Sequence, residues 1–272
     1  MIDFDRRRSL APVQARLQGF AGTIQTDAYA VCQALAAQQP GITRIGCTAH
    51  LRRRFYTALR EHPAAALWYI TQIRRLYALE EEARAWTPEA RHAHRHPLAP
   101  GIWAAMKTQA EAQRPSVLPK SALGQALTYL LDDYDALVGY LADGRYLIDN
   151  NVIENSIRPT AVGRKRWLFI GHPDAGWRSA VLYSILVSCR RRRLNPTDYL
   201  TDVLRRLPTL TITELATVLP GELVSRQRLT AACIRLTSRS SRRPGSSRHR
   251  GGRRDPLAPC IRLVAYVDTA HD

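Results

Sequence analysis

Lysine is nearly absent from this chain: of forty basic residues only Lys107, Lys120 and Lys165 are lysines. The remainder are arginines, whose planar forks suit phosphate oxygens and base edges. Acids are scarce beside them, 23 against 40, so the formal net charge is +17. A strongly basic soluble chain expects a polyanion, and nucleic acid is the first candidate. Long apolar runs are also missing. None reaches the eighteen or so residues that span a bilayer, and no signal-peptide pattern opens the chain, which argues against a membrane role. The five cysteines, Cys32, Cys47, Cys189, Cys233 and Cys260, are scattered and odd in number. That excludes a disulfide framework and favours a reducing compartment, the cytoplasm of a bacterium-like host.

The charge is unevenly spread. Residues 225–254 hold ten arginines and no acid, so about +10 sits there and +7 on the rest. The composition of that stretch predicts a disordered basic tail over 223–272. It reads either as a DNA-binding tail or as sequence continued past a natural end by a frameshift. The full 272 residues suffice for one sizeable core, or one domain with an insertion.

What is present alternates between strand and helix at first. Ile2 and Phe4 alternate with polar residues, as at a strand end. Val13, Leu17 and Phe20 mark a helix that Gly22 stops. Residues 23–27 read as a strand, 28–35 as a helix, and 42–47 as a second strand after the Pro40-Gly41 turn. From 64 to 144 the pattern is helical throughout. Leu67, Ile70, Ile73, Leu76 and Tyr77 define one amphipathic helix, and residues 102–112 form another. Pro119-Lys120-Ser121 opens a long one that Gly144 ends. Between them, His92, His94 and His96 lie among arginines and a proline and read as a polar loop. Residues 164–171 read as a strand or extended loop, 179–189 as a helix, and Asn195-Pro196 as the cap of a last helix through Leu207.

Two acidic positions stand out. Asp27 sits where a strand hands over to a helix, the place where open sheets bind ligands, though a capping Asp is an equal reading. Glu154 follows Asn150 and Asn151 at the start of a helix that Pro159 should end. It shares a face with Arg158 one turn on. Asn151 and Glu154 have capping-box spacing. The sharper alternative is a metal-binding carboxylate flanked by phosphate-holding cations. Cys47 and His50 have half a zinc site's spacing, but no second pair follows, which disfavours structural zinc. Arg52, Arg53 and Arg54 form either a solvated helix face or a phosphate-facing one.

Asp149-Asn150-Asn151-x-x-Glu154, then Ile157-Arg158-Pro159, then Gly163-Arg164-Lys165-x-Trp167-Leu168-Phe169, resembles the signature of insertion-sequence-66 family transposases. Gln25-Thr26-Asp27-x-Tyr29 resembles the motif around that family's second catalytic aspartate. The segment from Cys47 through Ala49, His50, Arg52 and Arg53 resembles a third family block. The likeness covers roughly residues 1–220.

The resemblance implies a DDE-type enzyme on an α/β, ribonuclease-H-like fold. Its core would be partial, missing the first strands: 1–63, then a helical insertion over 64–144, then the remaining core and C-terminal helices over 145–222. It also implies metal-dependent DNA strand cleavage and transfer, with Asp27 and Glu154 as catalytic ligands for Mg²⁺ or Mn²⁺. Asp149 would assist from nearby. Arg52, Arg53, Arg158, Arg164 and Lys165 would hold DNA. Partners would be transposon ends and target DNA, with room for accessory transposition proteins and a homo-oligomer. The family's first catalytic aspartate has no counterpart in the pattern, so the expectation is an N-terminally truncated transposase, inactive alone. Asn155 and Arg166 also depart from the family pattern, where an arginine and an asparagine are usual. The competing reading is a non-catalytic basic nucleic-acid-binding protein.

Overall fold

The computed structural model describes residues 2, 4, 9–167, 172, 175–222 and 262–263. The chain is mostly helical with a small parallel sheet, and it divides into two compact units. Residues 7–161 with 258–272 form one, and 1–6 with 162–257 the other.

The larger unit begins with α1 (Leu10–Arg16), β1 (Gly22–Gln25), α2 (Ala30–Gln38) and β2 (Ile42–Ile45). β1 and β2 pair in parallel from Gly22 opposite Ile42 to Gln25 opposite Ile45. A two-residue strand, β3 (Arg262–Leu263), lies parallel on the other edge of β1. The remainder of the expected disordered tail, residues 223–261 and 264–272, lies outside the described residues. Val13, Leu17, Ile24, Leu35 and Ile42 bury together, so the apolar faces of α1 and α2 close over the two strands.

A larger core lies among the helices that follow. These are α3 (Thr48–Ala58), α4 (Pro63–Glu82), α5 (Pro88–Arg95), α6 (Ala99–Gln113), α7 (Ala122–Asp132) and α8 (Tyr134–Val138). Leu51 and Phe55 of α3 join Tyr69, Ile73 and Leu76 of α4, Trp103 and Met106 of α6, and Leu127 and Leu130 of α7. Phe55 and Tyr69 stack with ring centroids 4.3 Å apart. Burying each such side chain stabilises by about 1.5–3 kcal/mol. The helical stretch therefore shares one core with α3 rather than closing on itself.

The structure corrects four expectations. First, the histidine-rich stretch is helical. Thr87 caps α5 by accepting the Ala90 N–H, Pro88 occupies the first turn, and Arg95 anchors the far end. Arg95 is 1% exposed. Its Nε and Nη2 donate to the Glu80 carboxylate at 2.7 Å each, and its other N–H groups reach the carbonyls of Tyr140, Asp143 and Tyr146. That fork ties α5 to α4 and to the loop after α8.

Second, the long helix expected up to Gly144 breaks at Asp133. The buried Asp133 carboxylate pairs with Arg44 of β2 and accepts from Gln33 at 3.4 Å. Beside it the Gly46 N–H donates to the Ala136 carbonyl at 2.7 Å. α8 is thus seated on the end of β2, which an unbroken helix could not achieve.

Third, α9 (Asn151–Trp167) runs through Pro159, which lies inside it. Proline removes one N–H donor from the ladder, and here the helix tolerates that loss instead of ending. Residues 164–167, expected in extended form, belong to the same helix, while 168–171 lie outside the described residues. Fourth, Ile2 and Phe4 form no strand. The Ile2 N–H donates to Ser184 Oγ at 2.7 Å, and the Phe4 ring covers Gly176, where a Cβ would come within 2.3 Å of it.

The smaller unit holds the last turns of α9, α10 (Gly176–Arg191) and α11 (Pro196–Arg206). As expected, Asn195 caps α11 by accepting the Thr197 N–H at 3.0 Å, with Pro196 in the first turn. Tyr199 OH donates to the Val218 carbonyl at 2.7 Å and fastens the segment after α11.

Two of these features can be checked by their effect on stability. Arg95→Met leaves the partly buried Glu80 and three backbone carbonyls without their donor, which should cost roughly 2–4 kcal/mol in urea unfolding; a loss below about 1 kcal/mol would contradict the anchoring role. At Gly144 an added Cβ would lie 1.7 Å from the Pro88 carbonyl oxygen. Gly144→Ala should therefore destabilise by about 2 kcal/mol or more, read as a lowered Tm.

Candidate active site

The site is built where β1 and β2 end. Gln25, the last residue of β1, is 1% exposed. Its side-chain amide donates to the Leu147 carbonyl at 2.7 Å and to the Gly46 carbonyl at 3.3 Å. The Thr26 N–H continues the pairing to Ile45 O, and the Thr48 N–H donates to Ile148 O. Thr23 Oγ1 and Tyr146 OH lie 2.8 Å apart. Residues 146–149 are thereby laid along the sheet, and α9 starts at the carboxyl ends of both strands.

Asp149 is locked in place. It is 8% exposed. Tyr77 OH donates to its Oδ2 at 2.6 Å, and Asn151 donates through its backbone N–H and side-chain amide. Burial and the Asp149 contact push the Tyr77 phenol well above its ordinary range. The Asn151 amide is thus spent on Asp149, while Glu154 turns elsewhere, so the capping-box pairing does not form.

Glu154 lies in the first turn of α9 with its Oε1 3.4 Å from His50 Nε2. Cys47 lies two residues past β2, at the N-cap of α3, and His50 is in the first turn of that helix. One ligand atom each from Cys47, His50 and Glu154 falls within 4.8 Å of the others. Burial raises the Cys47 thiol pKa to about 12; the Asp149 and Glu154 charges push the same way, and hydrogen bonds from Asn150 and His50 backbone oppose it. Thr48 Oγ1, His50 Nδ1 and Asn150 Oδ1 are buried without a hydrogen-bond partner. Three such atoms within one small region mark a functional site more than a packing accident.

Asp27 is half-buried, two residues past β1. It is not the cap of α2, whose N-cap is Tyr29. Burial and then the Asp27 charge lift the Cys32 thiol to about 11, and burial, then Asp133, Cys47 and Asp27, push the Tyr129 phenol upward. Asp27 thus belongs to the same strand ends but lies outside the 4.8 Å group around Glu154. A cavity of about 290 Å³ opens beside it, with Ala28, Gln33, Arg54, Tyr129 and Asp133 in its wall.

Arg52 and Arg53 are exposed on α3. The Arg52 guanidinium lies over the Tyr56 ring at 5.2 Å and the Tyr77 ring at 6.0 Å, which puts it beside the tyrosine that holds Asp149. Arg54 instead covers Tyr129 at 4.5 Å. Arg158 is exposed on α9, one turn beyond Glu154. The backbone of Arg164 and Lys165 is helical; their side chains lie outside the described residues. The sequence places Gln25 only within the motif around Asp27 and Tyr77 only on the apolar face of a helix, and it gives no sign that Glu154 would converge on Cys47 and His50. The Cys-x-x-His spacing was the signal, and its third donor lies 104 residues beyond His50.

Residues 1–178 match the family described as "Transposase IS66 family". Three proteins of Sinorhizobium fredii (strain NBRC 101917 / NGR234), each described only as uncharacterized, are similar along most of this chain. Protein y4qI is 32% identical over 211 residues, covering 75% of this chain and 39% of its own length. Protein y4jD is 29% identical over 225 residues, covering 80% and 44%, and y4hP 27% over 241 residues, covering 83% and 43%. The chain thus spans about two-fifths of the length of the curated relatives it matches. No solved structure matches it. With the family match covering 178 of its 272 residues, this chain belongs to the IS66 family of transposases.

Proposed function

We propose that the chain is the catalytic-domain portion of a DDE-type DNA transposase, with Asp27 and Glu154 as the carboxylates that hold Mg²⁺ or Mn²⁺. The sheet, on this reading, is a partial ribonuclease-H-like core, and α4 to α8 are a helical insertion into it. The observation that carries the reading is the placement of both acids at the carboxyl ends of two adjacent parallel strands, in a chain of transposase family. Their chemistry fits a hard divalent cation, which takes carboxylate oxygens and keeps several waters. When bound, such ions activate an attacking oxygen and stabilise the leaving oxygen of a phosphodiester.

The chain's own residues do the rest. The Gln25 amide fixes the approach of α9, so Glu154 meets the strand ends on a rigid helical turn. Tyr77 and Asn151 hold Asp149, which keeps a second carboxylate charge close to Glu154 without making it a mobile ligand. Arg52, Arg53 and Arg158 present unburied guanidinium groups around this end of the sheet, suited to phosphates of transposon-end or target DNA.

Two measurements test the proposal. In Mn²⁺ titrations followed by water-proton relaxation, wild type should bind, and Asp27→Asn and Glu154→Gln should each weaken binding by roughly tenfold or more. DNA binding without any Mn²⁺ binding would favour the non-catalytic nucleic-acid binder instead. Against duplex DNA, log Kobs should fall linearly with log salt concentration. Replacing Arg52 and Arg53 by alanine should flatten that slope by about 0.9 for each phosphate that an arginine neutralises. An unchanged slope would remove these two arginines from the DNA surface.

A further inference from the structure

We propose that Cys47, His50 and Glu154 form a second cation site, for a borderline-soft ion of the Zn²⁺ class, which shares Glu154 with the carboxylate pair proposed above. The donor set is the first argument. A thiolate, an imidazole and a carboxylate suit Zn²⁺ or Co²⁺, whereas Mg²⁺ and Mn²⁺ prefer oxygen. Three protein ligands also leave a fourth, open position.

Geometry is the second. Zinc bonds of about 2.0–2.3 Å in a tetrahedron separate neighbouring ligand atoms by roughly 3.3–3.8 Å. The His50 Nε2 to Glu154 Oε1 separation is already 3.4 Å, and all three donors lie within 4.8 Å. His50 and Glu154 are 24% and 30% exposed, so both can close the remaining distance by a small change of rotamer. Cys47 is fully buried on rigid backbone between β2 and α3. The site thus has one fixed wall and two adjustable ones.

An independent sign is the His50 ring. Its Nδ1 is buried and has no hydrogen-bond partner. Coordination through Nδ1 would relieve the desolvation cost of such an unpaired nitrogen, whereas coordination through Nε2, the nitrogen that faces Glu154, would not. The thiol releases its proton to solvent when the cation binds, so the Cys47 sulfur becomes a thiolate ligand held against the first turn of α3, where backbone N–H groups favour negative charge. Asp149 and Asn150 border the same sulfur and supply the surrounding polar shell.

The test is a Co²⁺ titration of the reduced 272-residue chain, read by absorption, with circular dichroism as the folding control. Wild type should develop a thiolate-to-cobalt charge-transfer band, saturating at one equivalent and displaced by Zn²⁺. Cys47→Ser should lose the band. His50→Gln and Glu154→Gln, both at partly exposed positions, should weaken Co²⁺ binding by about tenfold or more while remaining folded. Asp27→Asn should leave the band untouched although it weakens Mn²⁺, and Cys47→Ser should leave Mn²⁺ binding intact, so these two variants report the sites separately while Glu154→Gln, at the shared ligand, weakens both. A wild type with no band at millimolar Co²⁺ overturns the proposal. So does a band that survives in Cys47→Ser, which would belong to another thiol, or affinity indifferent to His50→Gln.

Discussion

The hydrogen bonds of one buried amide fix the geometry on which everything functional here depends. Gln25 reaches across the end of β2 to the Gly46 and Leu147 carbonyls, joining points more than a hundred residues apart in the chain. A glutamine buried at a strand end is costly unless its donors are used. Its two bonds meet that cost and leave little freedom for the segment they hold. Because residue 147 is pinned, Ile148 can accept from Thr48, Asp149 can reach Tyr77, and α9 can begin only where Glu154 faces α3. The Thr48–Ile148, Thr23–Tyr146 and Tyr77–Asp149 bonds then add further directional links to the same segment.

The same device recurs away from the site. Arg95 and Glu80 bind α5 to α4, and Arg44 and Asp133 bind α8 to β2. Each buries a charge pair where an apolar contact could have given as much stability. What ion pairs add is orientation. Asp133 breaks what would otherwise be one long helix, and the break allows the Gly46 N–H to bond to Ala136. Gly46 is also the residue Gln25 holds. The helical stretch is thereby coupled to the strand ends through directional bonds, with the apolar core of Phe55, Tyr69, Trp103 and Leu127 supplying the bulk of the stability.

Much of the fold was legible because its signals are local. The short strands, the capped start of α11 and the amphipathic helices all follow from period and cap residues near in sequence. The misreadings share one cause. His92 to His96 looked like a loop because nothing local shows that Arg95 will be buried against Glu80. Pro159 looked like a stop because nothing local shows that a helix will accept one missing donor. Asp133 carried no helix-breaking signal, since its partner lies on a strand 89 residues earlier. At the site, Asp27 and Glu154 stood out through their motifs, whereas Gln25, Tyr77 and the meeting of Glu154 with Cys47 and His50 depend on tertiary placement that no spacing encodes.

That placement also explains why the end of the sheet is the region where local rules fail together. Thr48, His50 and Asn150 each leave a buried polar atom unpaired, and a thiol sits within reach of two carboxylates. Each unpaired group costs about 1–3 kcal/mol, a large sum against the marginal stability of any domain. The buried guanidinium of Arg95, by contrast, is answered by five hydrogen bonds. On the function proposed above, the unpaired donors and acceptors at the strand ends are groups that an incoming cation or phosphate would satisfy.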